Sequence, residues 1–305
     1  MAITLGQLST FLAVARTGSV KRASEQLYVT QPSVSAALAA LSRELGVILT
    51  ERVGRGVRLT AAGEAFLPHA TDILGALVQG RRAAHEAAEI MTREVRIAAV
   101  TTAAEYIVPP ILRRFAEDHP EITLTLEVGN REHVFEKVLD RAVDVAIGGS
   151  PGTALGLVGH PFLRNDVVLI VPPESDLAGR KTVTFSGLSD RTWLLREEGS
   201  GTRAMVEGLL ARNDISPTTL TLGSNGAIKQ GVRMGLGISL QSRAAIGLEL
   251  RTGFLATVRL RGLPVRHWYA LTIEGDHLRP AVACFLEFVT SDAARSVILE
   301  VDGER

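Results

Sequence analysis

One cysteine in 305 residues leaves no disulfide framework to build on. Cys284 lies in an apolar helical stretch and reads as a core thiol in a reducing compartment. No apolar run approaches the ~18 residues of a membrane span, and the first residues lack a charged leader with a long apolar core, so a cytoplasmic protein with no membrane partner is expected. The seven histidines are scattered. His69, His85, His119 and His133 read as helix-surface or helix-end residues without zinc-ligand spacing, and no metal or other cofactor is expected. Net charge is also missing, since 33 basic residues balance 33 acidic ones. What is abundant is apolar content, 46%, enough for a small domain of about 60–90 residues and a larger one of about 200.

The charge balance hides an asymmetry. Residues 1–60 carry seven Lys/Arg against three Asp/Glu, a basic end on an otherwise slightly acidic chain. Within it three short helices are predicted. Thr4 and Gln7 form a Thr-x-x-Gln capping box for the first, whose inward stripe is Leu5, Leu8, Phe11, Leu12 and Ala15. Gly18 ends it, Ser19 caps a second helix carrying Val20, Ala23 and Leu27 inward, and Tyr28-Val29 makes the turn. Thr30 caps the third, Gln31 to Leu45, in which Val34, Leu38, Leu41 and Leu45 make the buried stripe. Pro32 is harmless in a first turn. Gln31, Pro32, Ser35, Ala36, Ala39 and Arg43 are left facing outward. A hairpin follows, Val47 to Arg52, a Gly54-Arg55-Gly56 turn, and Val57 to Thr60.

This is the layout of a winged helix-turn-helix, whose third helix enters a DNA major groove by its N-terminal end. Gln31 is placed to reach base edges, Ser33 and Ser35 to donate to phosphates or bases, and Arg52, Arg55 and Arg58 to meet flanking phosphates or a minor groove. Ser19, Thr30, Pro32 and Arg43 complete the expected DNA-binding set.

Ala23-Ser-Glu-Gln-Leu-Tyr-Val-Thr-Gln-Pro-Ser-Val-Ser35, followed by Glu51-Arg-Val-Gly-Arg-Gly-Val-Arg-Leu-Thr60 and Gly63, resembles the LysR-type transcriptional regulators, and the resemblance covers the whole chain. Ala36-Ala37 stands where the family often has a basic or long polar residue, which makes direct base readout sparser and leaves more to DNA shape. Thr50 replaces the usual Phe, which bears on wing packing. The resemblance implies double-stranded DNA, a small-molecule effector and RNA polymerase as partners, a homodimer or homotetramer, and no enzymatic activity.

From Ala61 to Met91 the positions Leu67, Ala70, Leu74, Leu77, Arg81, Ala84, Ala88 and Met91 recur in steps of three and four, predicting one long linker helix. Its stripe reads as a coiled-coil dimerisation seam rather than a face packed on its own domain. Arg81 interrupts it.

After Thr92 apolar strands alternate with helices: Glu94–Val100, Tyr106–Asp118, Ile122–Val128, His133–Arg141 and Val143–Ile147. That is a βαβαβ series implying a parallel sheet. A second series runs through Val167–Val171, Trp193–Leu195, Thr202–Asn213, Thr219–Leu222, Ala227–Met234 and Gly237–Leu240. Arg266–Ile273 and helices between Arg279 and Val301 return to the first lobe. The expected division is therefore 1–60 for the winged domain, 61–91 for the linker helix, and 92–305 for a two-lobed α/β effector domain. Its first lobe is 92–163 with 266–305, its second 164–265, and the resemblance likens it to the periplasmic solute-binding fold.

A cleft between such lobes collects strand-to-helix turns, whose free helix amides favour an anion. Three turns suit it: Thr101-Thr102-Ala103, Gly199-Ser200-Gly201-Thr202-Arg203 and Ser224-Asn225. Simple helix capping is the alternative role for Thr102, Ser200, Thr202, Ser224 and Asn225. Gly149, after the third strand, permits close approach of a ligand or of the other lobe. Glu198 to Arg203 with Gly223 to Gln230 look most like the carbon-fixation operon regulators, which implies a phosphorylated or carboxylated metabolite.

Two rivals stand beside this reading. Gly148-Gly149-Ser150-Pro151-Gly152 matches the nucleophile-elbow pattern G-x-S-x-G, with Asp276-His277 as conceivable partners, yet Pro151, Gly152 and the stretch Thr153 to Gly159 make a poor helix start. A solute-binding protein would explain the two lobes and leave the basic end unexplained.

Overall fold

The computed structural model describes residues 3–54, 56–87, 93–152 and 156–302. The chain divides into two compact units, residues 1–91 and 92–305.

The first unit opens with α1 (Leu5–Thr17), α2 (Val20–Leu27) and α3 (Gln31–Leu45), followed by β1 (Thr50–Val53), β2 (Gly56–Leu59) and α4 (Ala61–Ala87). Thr4 and Gln7 form the reciprocal capping box of α1, and Ser19 and Thr30 cap α2 and α3. Gly18 and Gly46 end α1 and α3 in the left-handed region, which costs a residue without a Cβ little. Leu8, Phe11, Ala23, Val34, Leu38 and Leu41 are buried in one core. Leu5 departs from the expected stripe: it is exposed on the first turn, while Ala13 and Val14 point inward instead.

The long helix also departs from expectation. Ala70 is fully buried in the core of its own domain, with Phe66, Leu67 and Leu74 packed against it. The first half of the predicted seam is therefore intradomain packing. Farther along, Ile73, Leu77 and Val78 are exposed on the single chain. Ala88 and Met91, expected at the end of the seam, lie outside the described residues, as does Arg55.

Among its described residues the second unit contains a five-stranded sheet, a four-stranded sheet and a separate two-stranded parallel pair. β3 (Arg93–Val100) leads into α5 (Thr101–Tyr106) and α6 (Val108–Asp118), then β4 (Ile122–Gly129), α7 (Arg131–Leu139), β5 (Val145–Gly148) and β6 (Leu157–Arg164). The chain crosses to β7 (Val167–Val171), β8 (Thr182–Val183), β9 (Trp193–Leu195), α8 (Gly201–Arg212), β10 (Thr219–Thr221), α9 (Asn225–Arg233), β11 (Ser239–Ser242), α10 (Gly247–Arg251) and β12 (Ala256–Leu260). It returns through β13 (His267–Ile273) to α11 (Pro280–Thr290) and α12 (Asp292–Asp302).

The parallel sheet expected of the first βαβαβ series is present, and later strands extend it antiparallel. In this five-stranded sheet, ordered β4-β3-β5-β13-β6, the first three strands are parallel, but β13 runs antiparallel to both neighbours because it enters from the opposite lobe. In the four-stranded sheet, β7 is antiparallel to β11 and β12. The two crossings are tied together where the Asn165 amide donates to the Arg266 carbonyl at 2.9 Å. A helix was expected to begin at Tyr106. Helical structure instead starts at Thr101, directly after β3, and breaks at Ile107 before Pro109-Pro110, the first turn of the second segment being the one place prolines are tolerated.

Asp144, buried beneath the first sheet, is held by Arg96 at 2.9 Å and Arg279 at 3.0 Å. Each buried charge is thus paired, which removes most of the cost of desolvating it. Cys284 is half-buried against the first-lobe core, 3.5 Å from His119 Nε2, and burial pushes its thiol up, away from the reactive thiolate.

Candidate functional site

On the first unit, Gln31, Pro32, Ser33, Ser35, Ala36, Ala39 and Arg43 all lie on the exposed side of α3. Thr30 does more than face outward: its hydroxyl accepts from the Ser33 amide at 3.3 Å and lies 2.8 Å from the Ser33 hydroxyl. Ser19 likewise caps α2, accepting from the Arg22 amide. These three hydroxyls therefore shape the entry to α3 and the turn before it. Tyr28 sits in that turn with φ 54 and is 97% exposed.

The wing is anchored by its backbone. The Val57 amide donates to the Gly18 carbonyl at 2.9 Å, and a Cβ on Gly56 would stand only 3.1 Å from that same oxygen. Arg52 is exposed. Arg58 is exposed too, but pairs across the hairpin with Glu51 at 2.6 Å, which raises its proton affinity further. Its charge is thus partly spent within the wing.

In the second unit a cleft of about 40 Å³ opens between the two lobes. Of the residues singled out from the sequence, Thr101, Thr102, Gly149, Ser200, Gly201 and Thr202 line it. Ala103 and Asn225 do not. Ala103 shares the first turn of α5 with Thr101 and Thr102 but is fully buried in the first-lobe core. Asn225 is 1% exposed and sits behind the wall: its Oδ1 accepts from Arg196 at 2.5 Å and its Nδ2 donates to Thr102 Oγ1 at 3.0 Å. It positions two lining side chains, one from each lobe.

Capping and lining turn out to be compatible. Ser200 Oγ accepts from the Thr202 and Arg203 amides at the start of α8 while its residue also lines the cleft. Thr102 caps nothing, since α5 has no side-chain cap. Thr101 Oγ1 donates to the Gly129 carbonyl and accepts from Arg196 at 3.4 Å, another bond between lobes. The mouth is closed by Asn130, whose Nδ2 donates to the Glu198 carbonyl, and by the Glu132 amide on the Gly199 carbonyl. A Cβ on Gly199, already at φ +78, would come within 2.6 Å of Asn130 Nδ2, so glycine is required for that approach.

Three arginines line the cleft that motif reasoning passed over. Arg196 is buried and neutralised by the adjacent Glu197 at 2.7 Å. Arg131 and Arg266 are different. Arg131 donates to the Ser150 carbonyl and stacks over Phe135 at 4.0 Å, while Arg266 donates to the Met205 sulfur at 3.4 Å. No carboxylate pairs with either among the described residues. A Cβ on Gly149 would stand 3.3 Å from Arg266 Nη2 and 3.8 Å from Arg131 Nη1, so both guanidinium groups converge on that glycine. Burial lowers the proton affinity of both, and repulsion by Arg131 lowers that of Arg266 further. Guanidinium nonetheless stays protonated at neutral pH, so this is uncompensated positive charge in a recess. The available signal was positional: Arg131 follows β4, Arg196 follows β9, and Arg266 lies at a lobe crossing, where strand ends gather.

The esterase-like motif lacks its required context. Ser150 follows β5 as expected, but its Oγ accepts from the Gly152 amide, and the next described element is the strand β6 rather than a helix. Residues 153–155 of the expected stretch lie outside the described residues. Asp276 is engaged by Arg141 at 2.5 Å.

Comparison with known proteins gives two family matches: residues 5–64 to the bacterial regulatory helix-turn-helix proteins of the lysR family, and residues 89–294 to the LysR substrate binding domain. The chain is 36% identical to a RuBisCO operon transcriptional regulator of Allochromatium vinosum, covering 97% of this chain and 98% of that protein. Among solved structures, the CcmR regulatory domain of Synechocystis PCC6803 in complex with 2-PG is 32% identical with a TM-score of 0.62, over 65% of this chain and 95% of that one. Full-length CbnR complexed with its target DNA is 25% identical with a TM-score of 0.54, over 97% and 99% of the two chains.

Proposed function

Because this chain belongs to the LysR family of transcriptional regulators, we propose that α3 reads an operator in the major groove through Gln31, Ser33 and Ser35. Arg43, Arg52 and Arg55 bind its phosphates, with Arg58 serving the wing through Glu51. We propose further that the cleft takes a small metabolite bearing a phosphate or carboxylate. The convergence of Arg131 and Arg266 on Gly149 without a carboxylate partner carries this reading, because a charge pair left half-made in a recess is completed by a guest anion. A structural relative captured with 2-PG supports it.

The remaining division of labour follows. The exposed half of α4, with Ile73, Leu77 and Val78, pairs with a second copy to form a homodimer that assembles into tetramers. An occupied cleft changes the spacing of the lobes and so the geometry presented to bent DNA and to RNA polymerase. The protein works by binding in the cytoplasm and turns over no substrate. No helix among the described residues is long and apolar enough to cross a membrane.

The test is a thermal-shift titration of the full chain with 2-phosphoglycolate and related phosphorylated or carboxylated acids. A ligand that binds the folded state adds about 2.7 kcal/mol at a hundredfold excess over Kd, so the midpoint should climb with the logarithm of concentration. Thr101→Ala and Ser200→Ala should flatten that climb and leave operator binding in place. A flat response to every such acid at millimolar concentration would remove the anion from the cleft.

On the DNA side, Gln31→Ala should cost about 1–3 kcal/mol at the cognate operator and relax its base preference. Competition electrophoresis against a one-base operator series measures both. An unchanged preference would take Gln31 out of the readout.

A further inference from the structure

The cleft is not the roomiest void in the second unit. Adjoining it is a cavity of about 530 Å³, against about 40 Å³ for the cleft, and Ser242 and Trp268 line both. That volume lies within the range of about 300–1,000 Å³ usual for small-molecule sites. Its walls come from both lobes: Ile107, Leu163 and Ile298 from the first, Leu250 and Arg251 from the second.

The lining has two characters. Ile107, Leu163, Leu250 and Ile298 form an apolar surface, and Ile107 and Ile298 are each only 1% exposed. The polar part is biased to one sign, three arginines against one aspartate. That aspartate, Asp166, is already engaged by Arg164 at 2.6 Å. Arg251 has no ion pair among the described residues, and it folds back over Gly247, with Nη1 3.4 Å from where a Cβ would stand. A site that is apolar on one side and carries an uncommitted guanidinium on the other matches a molecule built the same way.

We propose that this cavity is a second ligand site, separate from the anion cleft, and that it takes an amphipathic carboxylate. The apolar body lies against Ile107, Leu163, Leu250 and Ile298, and the carboxylate meets Arg251. A molecule of this class has no place in the cleft, where Arg131, Arg196 and Arg266 leave little apolar wall and the volume admits only a headgroup. An occupant touching both lobes holds their spacing. Ser242, which donates to the cleft residue Asn165 at 2.8 Å, passes the constraint to the first site, and the coupling is reciprocal.

The experiment is isothermal titration calorimetry of the full chain with octanoate and with octanamide, which keeps the apolar chain and lacks the charge. Saturable binding of octanoate is expected, with octanamide at least about tenfold weaker, the loss of one charge-assisted contact. Arg251→Glu should weaken octanoate by about tenfold or more for the same reason. Ala244→Phe, which fills the cavity, should remove binding. Arg266→Gln, in the cleft, should leave octanoate binding unchanged, so that failure of the anion reading and failure of this one are told apart. If Ala244→Phe does not fold, the Arg251→Glu and octanamide comparisons decide alone. Absence of octanoate binding, equal binding of octanamide, binding that survives Arg251→Glu, or its loss in Arg266→Gln would each overturn the second site.

Discussion

Arg266→Gln is expected to weaken 2-phosphoglycolate, or whichever phosphorylated or carboxylated acid gives the thermal shift, by about 2–5 kcal/mol, thirtyfold to several thousandfold. The size follows from placement. Arg266 is half-buried at the lobe crossing, it donates to the Met205 sulfur, and among the described residues no carboxylate shares its charge. Removing it leaves the guest anion facing Arg131 alone in a desolvated recess, so the loss is that of a buried charge pair rather than a surface one. The same substitution has the opposite sign on the empty protein. Burial and repulsion by Arg131 both disfavour the Arg266 cation, so neutralising it relieves a strain kept for binding. The unliganded melting midpoint should hold or rise. Calorimetric titration and a melting curve on one preparation measure the two effects together. A variant that binds the acid like wild type would show that Arg266 does not touch it, and a large fall in the empty protein's midpoint would make the residue structural.

Gly63→Val is expected to destabilise the winged unit by about 3 kcal/mol or more and to abolish operator binding with it, while the transition of the second unit stays put. Gly63 lies in the first turn of α4, where added side chains ordinarily help a helix by up to about 1 kcal/mol. Here packing decides the sign. A Cβ would stand 2.1 Å from the Leu49 carbonyl oxygen and 3.3 Å from Leu59 Cβ. Leu49 is 1% exposed, and its carbonyl accepts from the Thr60 amide at 3.0 Å. Thr60 in turn donates to the Ile48 carbonyl and accepts from the Gly63 amide. Any shift that makes room breaks the junction joining wing to helix. Denaturant unfolding followed by operator binding is the measurement, and a midpoint within error of wild type would mean the wing is not pinned there.

Gly63 also shows how a sequence carries information whose reason it withholds. Its place after Thr60 was part of the recognisable pattern, yet nothing local demands glycine inside a helix start; the demand comes from a carbonyl fourteen residues earlier. The linker helix gives the converse case. Its three-and-four spacing is real, but spacing alone cannot say what covers a stripe, and Ala70 is covered by its own domain. The cleft behaved likewise. Thr101, Thr102, Gly149, Ser200, Gly201 and Thr202 were legible because strand ends and helix starts are local features. Arg131, Arg196 and Arg266 were not, because an arginine looks the same in a sequence whether its charge is shared or stranded.

What the chain determined by itself are the elements governed by neighbours a few residues apart. These are the Thr4–Gln7 box, the caps at Ser19 and Thr30, the glycine stops at Gly18 and Gly46, and the polar outer face of α3. Each follows from hydrogen bonds and periodicity within one or two turns. Only the tertiary structure decided that β13 lies antiparallel between β5 and β6, that Ala103 sinks into a core, that Asn225 props Arg196 from behind, and that Arg131 and Arg266 meet over Gly149. Those outcomes depend on which distant segments come together, and sheet order, burial and uncompensated charge arise only once the two lobes have closed on one another.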